Sequence, residues 1–281
     1  MKVIPTPPQV QTLEDIEIKL LLDAISLRYG YDFREYTVAP LRRSISAAMA
    51  AEGVTTISAY QDRLLHDASS MQRLLSTVGV SVTSMFRDAA TWRCLRDEVI
   101  PVLRTYPSVR IWSVGCATGE EVYSLAIVLM EEGLYERASI YATDMNEDTL
   151  AIARVGACPI ERLRTYEHDY LLAGGHSSLS NYFRSTGRIG RLKRDLLSNV
   201  TWAQHNLVTD ASFNTFHLIV CTNVLIYFRP TLQQRAHHLF YESLVRSGFL
   251  ALGQRESLIF APESSRYQQV HDGVSVFRKV R

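Results

Sequence analysis

Residues 109–121, Val-Arg-Ile-Trp-Ser-Val-Gly-Cys-Ala-Thr-Gly-Glu-Glu, decide the fold of this chain. Val109–Val114 is a short apolar run of strand length, and it leads into a turn bounded by Gly115 and Gly119. Beyond the turn Val122, Leu125, Ala126, Leu129 and Met130 recur at helical spacing until Gly133. Residues 139–143 (Ser-Ile-Tyr-Ala-Thr) form a second strand that ends at Asp144, and Asn146, Glu147 and Asp148 open another helix through Leu150, Ile152 and Ala153. Strand, turn, helix, strand and helix with short connections predict a parallel, doubly wound α/β sheet.

Toward the C-terminus the alternation breaks at about residues 158–198. This stretch holds a helix over 166–172, a Gly-Gly turn and a basic run over 184–194, Arg-Ser-Thr-Gly-Arg-Ile-Gly-Arg-Leu-Lys-Arg, and is expected to be an insertion of short antiparallel strands. Strands resume at 200–205 and 216–222, followed by a helix over about 231–245 and a strand at 248–252. Residues 267–280 alternate around Asp272-Gly273, a hairpin signal that places a terminal antiparallel strand in the mostly parallel sheet.

Toward the N-terminus the texture is helical. Ile16, Leu20, Leu21, Ile25 and Leu27 suggest one stripe ended by Gly30, and Leu41, Ile45, Ala48 and Met49 a second ended by Gly53. Ser58 is a candidate cap for a third helix with Tyr60, Leu64 and Leu65, and a fourth lies near 71–78. The expected organisation is a loose tail over 1–11, a helical domain over 12–86, a linking helix within 87–106, and the α/β domain over 107–281.

Of the 281 residues, 47% are hydrophobic and 21% charged, enough for a sizeable core, and the net charge of +1 argues against duplex DNA or an anionic membrane surface as the main partner. No apolar run reaches the roughly 18 to 20 residues of a membrane span. The opening Met-Lys-Val-Ile-Pro-Thr-Pro-Pro-Gln-Val does not have the form of a secretory signal. Cys94, Cys116, Cys158 and Cys221 form no Cys-x-x-Cys pair, so reduced cytoplasmic thiols are expected, and the eight histidines show no metal-ligand spacing.

The chemistry concentrates at strand ends. The turn at Gly115 lets a ligand approach backbone N–H groups at a helix start, but it is not Gly-x-Gly-x-x-Gly. Glu120 and Glu121 disfavour a pyrophosphate and suit a ligand with an amino group or positive charge; they also complement the macrodipole of a first helical turn. Asp144, after the second strand, suits a ribose diol; it is a candidate helix cap too, a role open to Asn146. An acid in the turn and an acid after strand two describe a nucleoside carrying an amino acid, namely S-adenosylmethionine. Asn223 and Tyr227, in Cys-Thr-Asn-Val-Leu-Ile-Tyr-Phe (221–228), stand where open sheets bind ligands. The absence of Asn-Pro-Pro-Tyr argues against a nucleobase amine as methyl acceptor.

Five segments in order, Thr-Ser-Met-Phe-Arg-Asp (83–88), Trp-Ser-Val-Gly-Cys-Ala-Thr-Gly-Glu-Glu (112–121), Tyr-Ala-Thr-Asp (141–144), His-Asn-Leu (205–207) and Asn-Val-Leu-Ile-Tyr-Phe (223–228), resemble the CheR-type methyltransferases. These use S-adenosylmethionine to methylate glutamate side chains of bacterial chemoreceptors, and the resemblance spans nearly the whole chain. It implies a Rossmann-like sheet with an N-terminal all-helical domain, and no metal. It also implies cofactor contacts from Thr83, Arg87, the Glu120/Glu121 pair, Asp144, Asn206 with Leu207, and Asn223, with Tyr227 beside the methyl group. Arg87 is expected to pair with the methionine carboxylate and Tyr227 to orient the acceptor.

Two cofactor positions depart from the family pattern: Ser81 stands for its asparagine and Thr222 for its arginine, one hydroxyl in place of up to five donors. The substrate implied is an acidic helical protein such as a chemoreceptor cytoplasmic domain, with no nucleic acid and no membrane insertion. Around Arg42-Arg43 the expected docking helix is weakly charged, and the stretch at 185–191 is short for a loop that captures a receptor's C-terminal pentapeptide. A pentapeptide-independent member is therefore expected. Other acceptors, and a non-catalytic sensor of the cofactor or its product, are the alternatives.

Overall fold

The computed structural model describes residues 12–78 and 83–280. The chain divides into two compact units, up to Val78 and from Gly79 onward.

The first unit holds α1 (Leu13–Tyr29), α2 (Val38–Ala51), α3 (Ile57–His66) and α4 (Ala68–Val78). Thr12 and Asp15 form a reciprocal capping box at the start of α1, and Gly30, at φ +78°, closes it. Its buried face is Ile18, Leu21, Leu22 and Ile25, whereas Ile16, Leu20 and Leu27 are 42%, 53% and 90% exposed. The expected stripe was thus right at Leu21 and Ile25 and wrong at the other three: α1 has apolar residues on several sides, and periodicity alone does not choose among them. Thr56, not Ser58, caps α3, accepting from the Ala59 N–H at 3.2 Å. The Ser58 hydroxyl donates instead to Glu17, at 2.5 Å. Arg42 is held within the unit by Glu14 and Asp15 (3.2 and 2.8 Å).

The second unit opens with a helix in three parts, α5 (Ala89–Cys94), a π turn (Leu95–Val99) and α6 (Ile100–Leu103). Then come β1 (Val109–Val114), α7 (Glu120–Glu131), β2 (Ala138–Asp144) and α8 (Glu147–Val155). The insertion follows, with β3 (Ala157–Pro159), α9 (Ile160–Leu172), β4 (Phe183–Thr186) and β5 (Ile189–Leu192). The main sheet resumes with β6 (Val200–Gln204), β7 (Phe216–Cys221), α10 (Pro230–Ser243), β8 (Leu244–Leu252), β9 (Tyr267–Gln269) and β10 (Val276–Lys279).

The main sheet has the order β6-β2-β1-β7-β8-β10-β9. The pairings from β6 to β8 are parallel, and β10 runs antiparallel to both of its neighbours. The chain leaves β1 toward β2 and returns on the other side as β7, so the crevice at the switch point opens over the carboxyl end of β1. Register brings the relevant ends together: Val114 lies opposite Thr143 on one side and Cys221 on the other. Apolar residues on both faces of β1 and β7, with a fully buried Trp112, make this the centre of the core.

The insertion is a separate antiparallel sheet of order β3-β5-β4. Arg184 sits directly across from Arg191, and both point to solvent with Arg188, Lys193 and Arg194, because like charges in register are tolerated only where water screens them. A buried polar knot ties the insertion to the sheet unit. Arg96 of the π turn pairs with Glu131 and Glu132 of the α7 end and donates to the Ala173 carbonyl (3.0 Å), while Glu131 accepts from Tyr170 and Tyr182.

The four cysteines are free and buried. Among the described residues no helix is long and apolar enough to cross a membrane, and no cluster of three or more His, Cys, Asp or Glu could hold a metal ion.

Candidate functional site

A cleft of about 490 Å³, counting space open to solvent, lies over the carboxyl ends of β1 and β7. Thr83, Ser84, Arg87 and Trp92 form one wall, Gly115, Cys116 and Ala117 the turn beneath, and Glu121, Thr222 and Asn223 the far side.

The turn is shaped by backbone conformations that few side chains allow. Gly115 has φ +65°, and a Cβ there would meet Val224 Cγ2 at 2.5 Å. Gly119 has φ +95°, with the Tyr123 hydroxyl 2.7 Å from any added Cβ. Ala117 is also left-handed (φ 46°), and its N–H donates to Asp144 Oδ2 at 3.0 Å. The other Asp144 oxygen accepts from Asn146 N–H at 2.9 Å. Asp144 thereby holds the turn against the end of β2, while Asn146 caps α8 by accepting from Asp148 N–H. Burial pushes the Asp144 carboxyl up, against the opposing pull of these N–H groups.

The structure separates the two adjacent glutamates. Glu121 enters the cleft and accepts from Ser113 (3.0 Å) and from the Thr222 hydroxyl. Burial pushes its carboxyl up to about 7; the two hydroxyls and the Arg87 guanidinium pull it down, and the Glu256 carboxylate pushes it further up. Glu120 turns the other way, accepting from Thr118 at 2.6 Å with Arg162 of α9 at 4.0 Å, and does not line the cleft.

Not every expected site residue reaches this cleft. Asp144 borders it through Ala117. Asn206 and Leu207 lie in the turn after β6, where the Asn206 side chain accepts from Val208 N–H (3.0 Å) and Leu207 is buried. That turn adjoins Asp144, whose carbonyl accepts from His205 N–H at 3.1 Å. Tyr227 ends the short 3-10 turn Leu225–Tyr227 and is partly exposed, outside the cleft lining. Ser81 lies outside the described residues.

Sequence reasoning missed Glu256. Only 5% exposed, it extends from the loop after β8 and accepts from the N–H groups of Asn223, Val224, Leu225 and Ile226 at 3.0, 2.9, 2.7 and 3.3 Å. A fifth bond comes from Gly253 N–H at 2.8 Å. The one available signal was an acid four positions after the apolar strand 248–252, and nothing local distinguishes it from a solvated loop carboxylate.

A doubly wound sheet with a terminal antiparallel strand, a small antiparallel sheet and an all-α N-terminal unit is the Rossmann-like methyltransferase architecture. Residues 81–273 match the family described as CheR methyltransferase, SAM binding domain, and residues 16–78 match CheR methyltransferase, all-alpha domain. The chain belongs to the CheR methyltransferase family, enzymes that use S-adenosylmethionine. It is 45% identical over 265 residues to the putative methyltransferase Cher3 of Pseudomonas putida, covering 94% of this chain and 97% of that one. It is 28% identical over 232 residues to a chemotaxis protein methyltransferase of Listeria monocytogenes (82% and 86% covered). It is 27% identical over 246 residues to chemotaxis protein methyltransferase 1 of Pseudomonas aeruginosa (82% and 86%).

Proposed function

We propose that this chain is a cytoplasmic enzyme that transfers the methyl group of S-adenosylmethionine to glutamate side chains of an acidic helical protein, a chemoreceptor cytoplasmic domain. The observation that carries the cofactor part is the buried Glu121 carboxylate in a cleft at the switch point that Arg87 also lines. One cleft thus offers a carboxylate for an ammonium group and a guanidinium for a carboxylate, the two ends of an amino acid. The family description supports the nucleoside, and the chemotaxis names of two relatives support the acceptor.

The residues divide the work by position. Asp144 accepts from the backbone N–H groups of Ala117 and Asn146, with Met145 N–H also turned to it, and a carboxylate's remaining lone pairs suit the two hydroxyls of a ribose. Thr83, Gly115, Thr222 and Asn223 shape the cleft around the amino-acid end. Asn206 and Leu207, in the turn adjoining Asp144, are assigned to the cofactor by resemblance, as is Ser81. Glu120 is assigned a supporting role, since it faces Arg162. S-adenosylmethionine supplies a methyl group already activated by a positively charged sulfur. A glutamate acceptor, with an ordinary pKa of about 4.3, is ionised at pH 7, so the protein need only align it and exclude water. Tyr227 is assigned the orienting of that carboxylate by resemblance.

The turn between β4 and β5 is only Gly187 and Arg188, which supports a member that works without capturing a receptor pentapeptide. The exposed arginines of that hairpin offer an acidic protein a screened, adjustable contact.

Tritiated methyl transfer to receptor-containing membranes tests the reading. Base-labile label that falls in Tyr227→Phe is expected. Binding of S-adenosylhomocysteine without label in any receptor overturns the chemoreceptor assignment and favours another acceptor or a sensor.

A further inference from the structure

We infer that Glu256 is a positioning residue: its carboxylate is a built-in anion that gathers four consecutive backbone N–H groups and so fixes the loop bearing Asn223 and Tyr227 against the cofactor cleft. This rests on the cofactor reading above and deepens it.

The loop is also held by the Thr222 hydroxyl on Glu121 and by the Tyr227 and Phe228 N–H groups on the Val224 and Leu225 carbonyls, but its first four N–H groups after Thr222 turn to Glu256. It follows the end of β7, passes through Asn223 in the left-handed region (φ 60°) and continues into the 3-10 turn Leu225–Tyr227. A left-handed residue followed by right-handed ones turns successive N–H groups to the same side, making a concavity that attracts an anion. Oε1 of Glu256 takes Val224, Leu225 and Ile226, and Oε2 takes Asn223 together with Gly253. Taking a carboxylate out of water is costly unless hydrogen bonds replace the lost hydration, and here the donors are amides that no protonation change can remove.

The rest of the clamp is fitted to that arrangement. A Cβ at Gly253 would stand 2.8 Å from Glu256 Oε2 and 3.1 Å from the Asn223 nitrogen, so only glycine lets the loop after β8 come this close. Glu256 is in turn held from behind, its N–H donating to the Gly253 carbonyl (2.9 Å) and its carbonyl accepting from the Ser275 hydroxyl (2.9 Å). Val224, pinned by Glu256, sits where it would collide with any side chain at Gly115, so the clamp also sets the width between the two cofactor turns.

Glutamine cannot substitute. Whichever way the amide is turned, its NH₂ faces at least two backbone donors, and aspartate keeps the charge but is one methylene too short to span both groups.

The test is calorimetric titration of S-adenosylhomocysteine into the full chain, with the folded fraction of each variant measured by circular dichroism. Glu256→Gln is expected to bind about tenfold more weakly or worse per folded molecule, and Glu256→Asp to recover part of the loss. A residue that served stability alone would lower the melting temperature and leave the affinity of folded molecules unchanged, and that result overturns the inference. Should Glu256→Gln fail to fold, two measurements decide. In the wild-type chain the amides of residues 223–226 are expected to exchange slowly, and Ser275→Ala is expected to speed their exchange and weaken binding at least twofold. Fast exchange in the wild type, or no change in Ser275→Ala, overturns the clamp. A wild-type chain that fails to bind S-adenosylhomocysteine defeats the cofactor reading and the role built on it; a wild-type chain that binds beside an unimpaired Glu256→Gln defeats the clamp alone.

Discussion

The Thr222 hydroxyl donates a hydrogen bond to the Glu121 carboxylate inside the cleft. Where the CheR resemblance sets an arginine, this chain sets a single neutral donor. Burial prevails over that donor, the Ser113 hydroxyl and the Arg87 guanidinium, and the Glu121 carboxyl is held near 7. Thr222→Val removes that donor and should move the midpoint up by about one to two pH units, since a hydrogen bond to a charged group contributes about 1.5–3 kcal/mol. The midpoint can be followed by carbon NMR of labelled glutamate.

Ligand binding should report the same group. An ammonium beside Glu121 favours its ionised form, so below about pH 7 binding must expel a proton. The affinity for S-adenosylhomocysteine should fall by up to tenfold per pH unit between about 7 and 5.5. Calorimetry at pH 6.5 in two buffers of different ionisation enthalpy should show net proton release, and its absence in the wild type would place the amino group elsewhere.

Without ligand the effect on stability has the opposite sense to that of a salt-bridged acid. The folded pKa lies above the unfolded value, so the native state binds the proton more tightly. Glu121 costs nothing below about pH 4.5, and its cost grows as pH rises toward about 7, to at most about 3 kcal/mol. Glu121→Gln should flatten that part of the stability profile in urea titrations while weakening ligand binding.

Asp144→Ala should weaken S-adenosylhomocysteine by at least tenfold, about 1.4 kcal/mol. Asp144 also holds the Ala117 N–H, so Asp144→Asn, which keeps one acceptor for the turn, separates loss of the ribose contact from loss of turn geometry. Equal affinity in all three proteins would remove Asp144 from the site.

Arg96→Met should be costly far from the cleft. It leaves Glu131 buried with two tyrosine hydroxyls and no guanidinium, and breaking a buried pair from one side costs about 3–5 kcal/mol. Thermal unfolding should shift down by several degrees, with S-adenosylhomocysteine affinity of the remaining folded protein retained.

The parallel alternation was legible because its signals are local: Gly115 and Gly119 punctuate a strand and a helix that follow one another directly, and Asp272-Gly273 marks its own hairpin. The phase of α1 was legible only in part: Leu21 and Ile25 are buried as expected, but Ile16, Leu20 and Leu27, as apolar as the residues the helix buries, are exposed. Nor did two adjacent acids reveal their division of labour. Glu120 and Glu121 point about 100° apart on a helix, and what each meets, Arg162 of α9 or Thr222 after β7, is decided by segments remote in sequence. Glu256 was least visible, because its partners are backbone amides some thirty positions earlier that carry no residue-type mark.

The antiparallel strand near the end of the chain has a consequence for biosynthesis. A ribosome delivers the glycine turn, Glu121 and Asp144 well before it delivers Glu256 and Ser275. On the proposed cofactor reading, a nascent polypeptide therefore carries the glycine turn and its acids before the carboxylate inferred to clamp the facing loop, and full grip on the small molecule waits until translation has passed the closing hairpin.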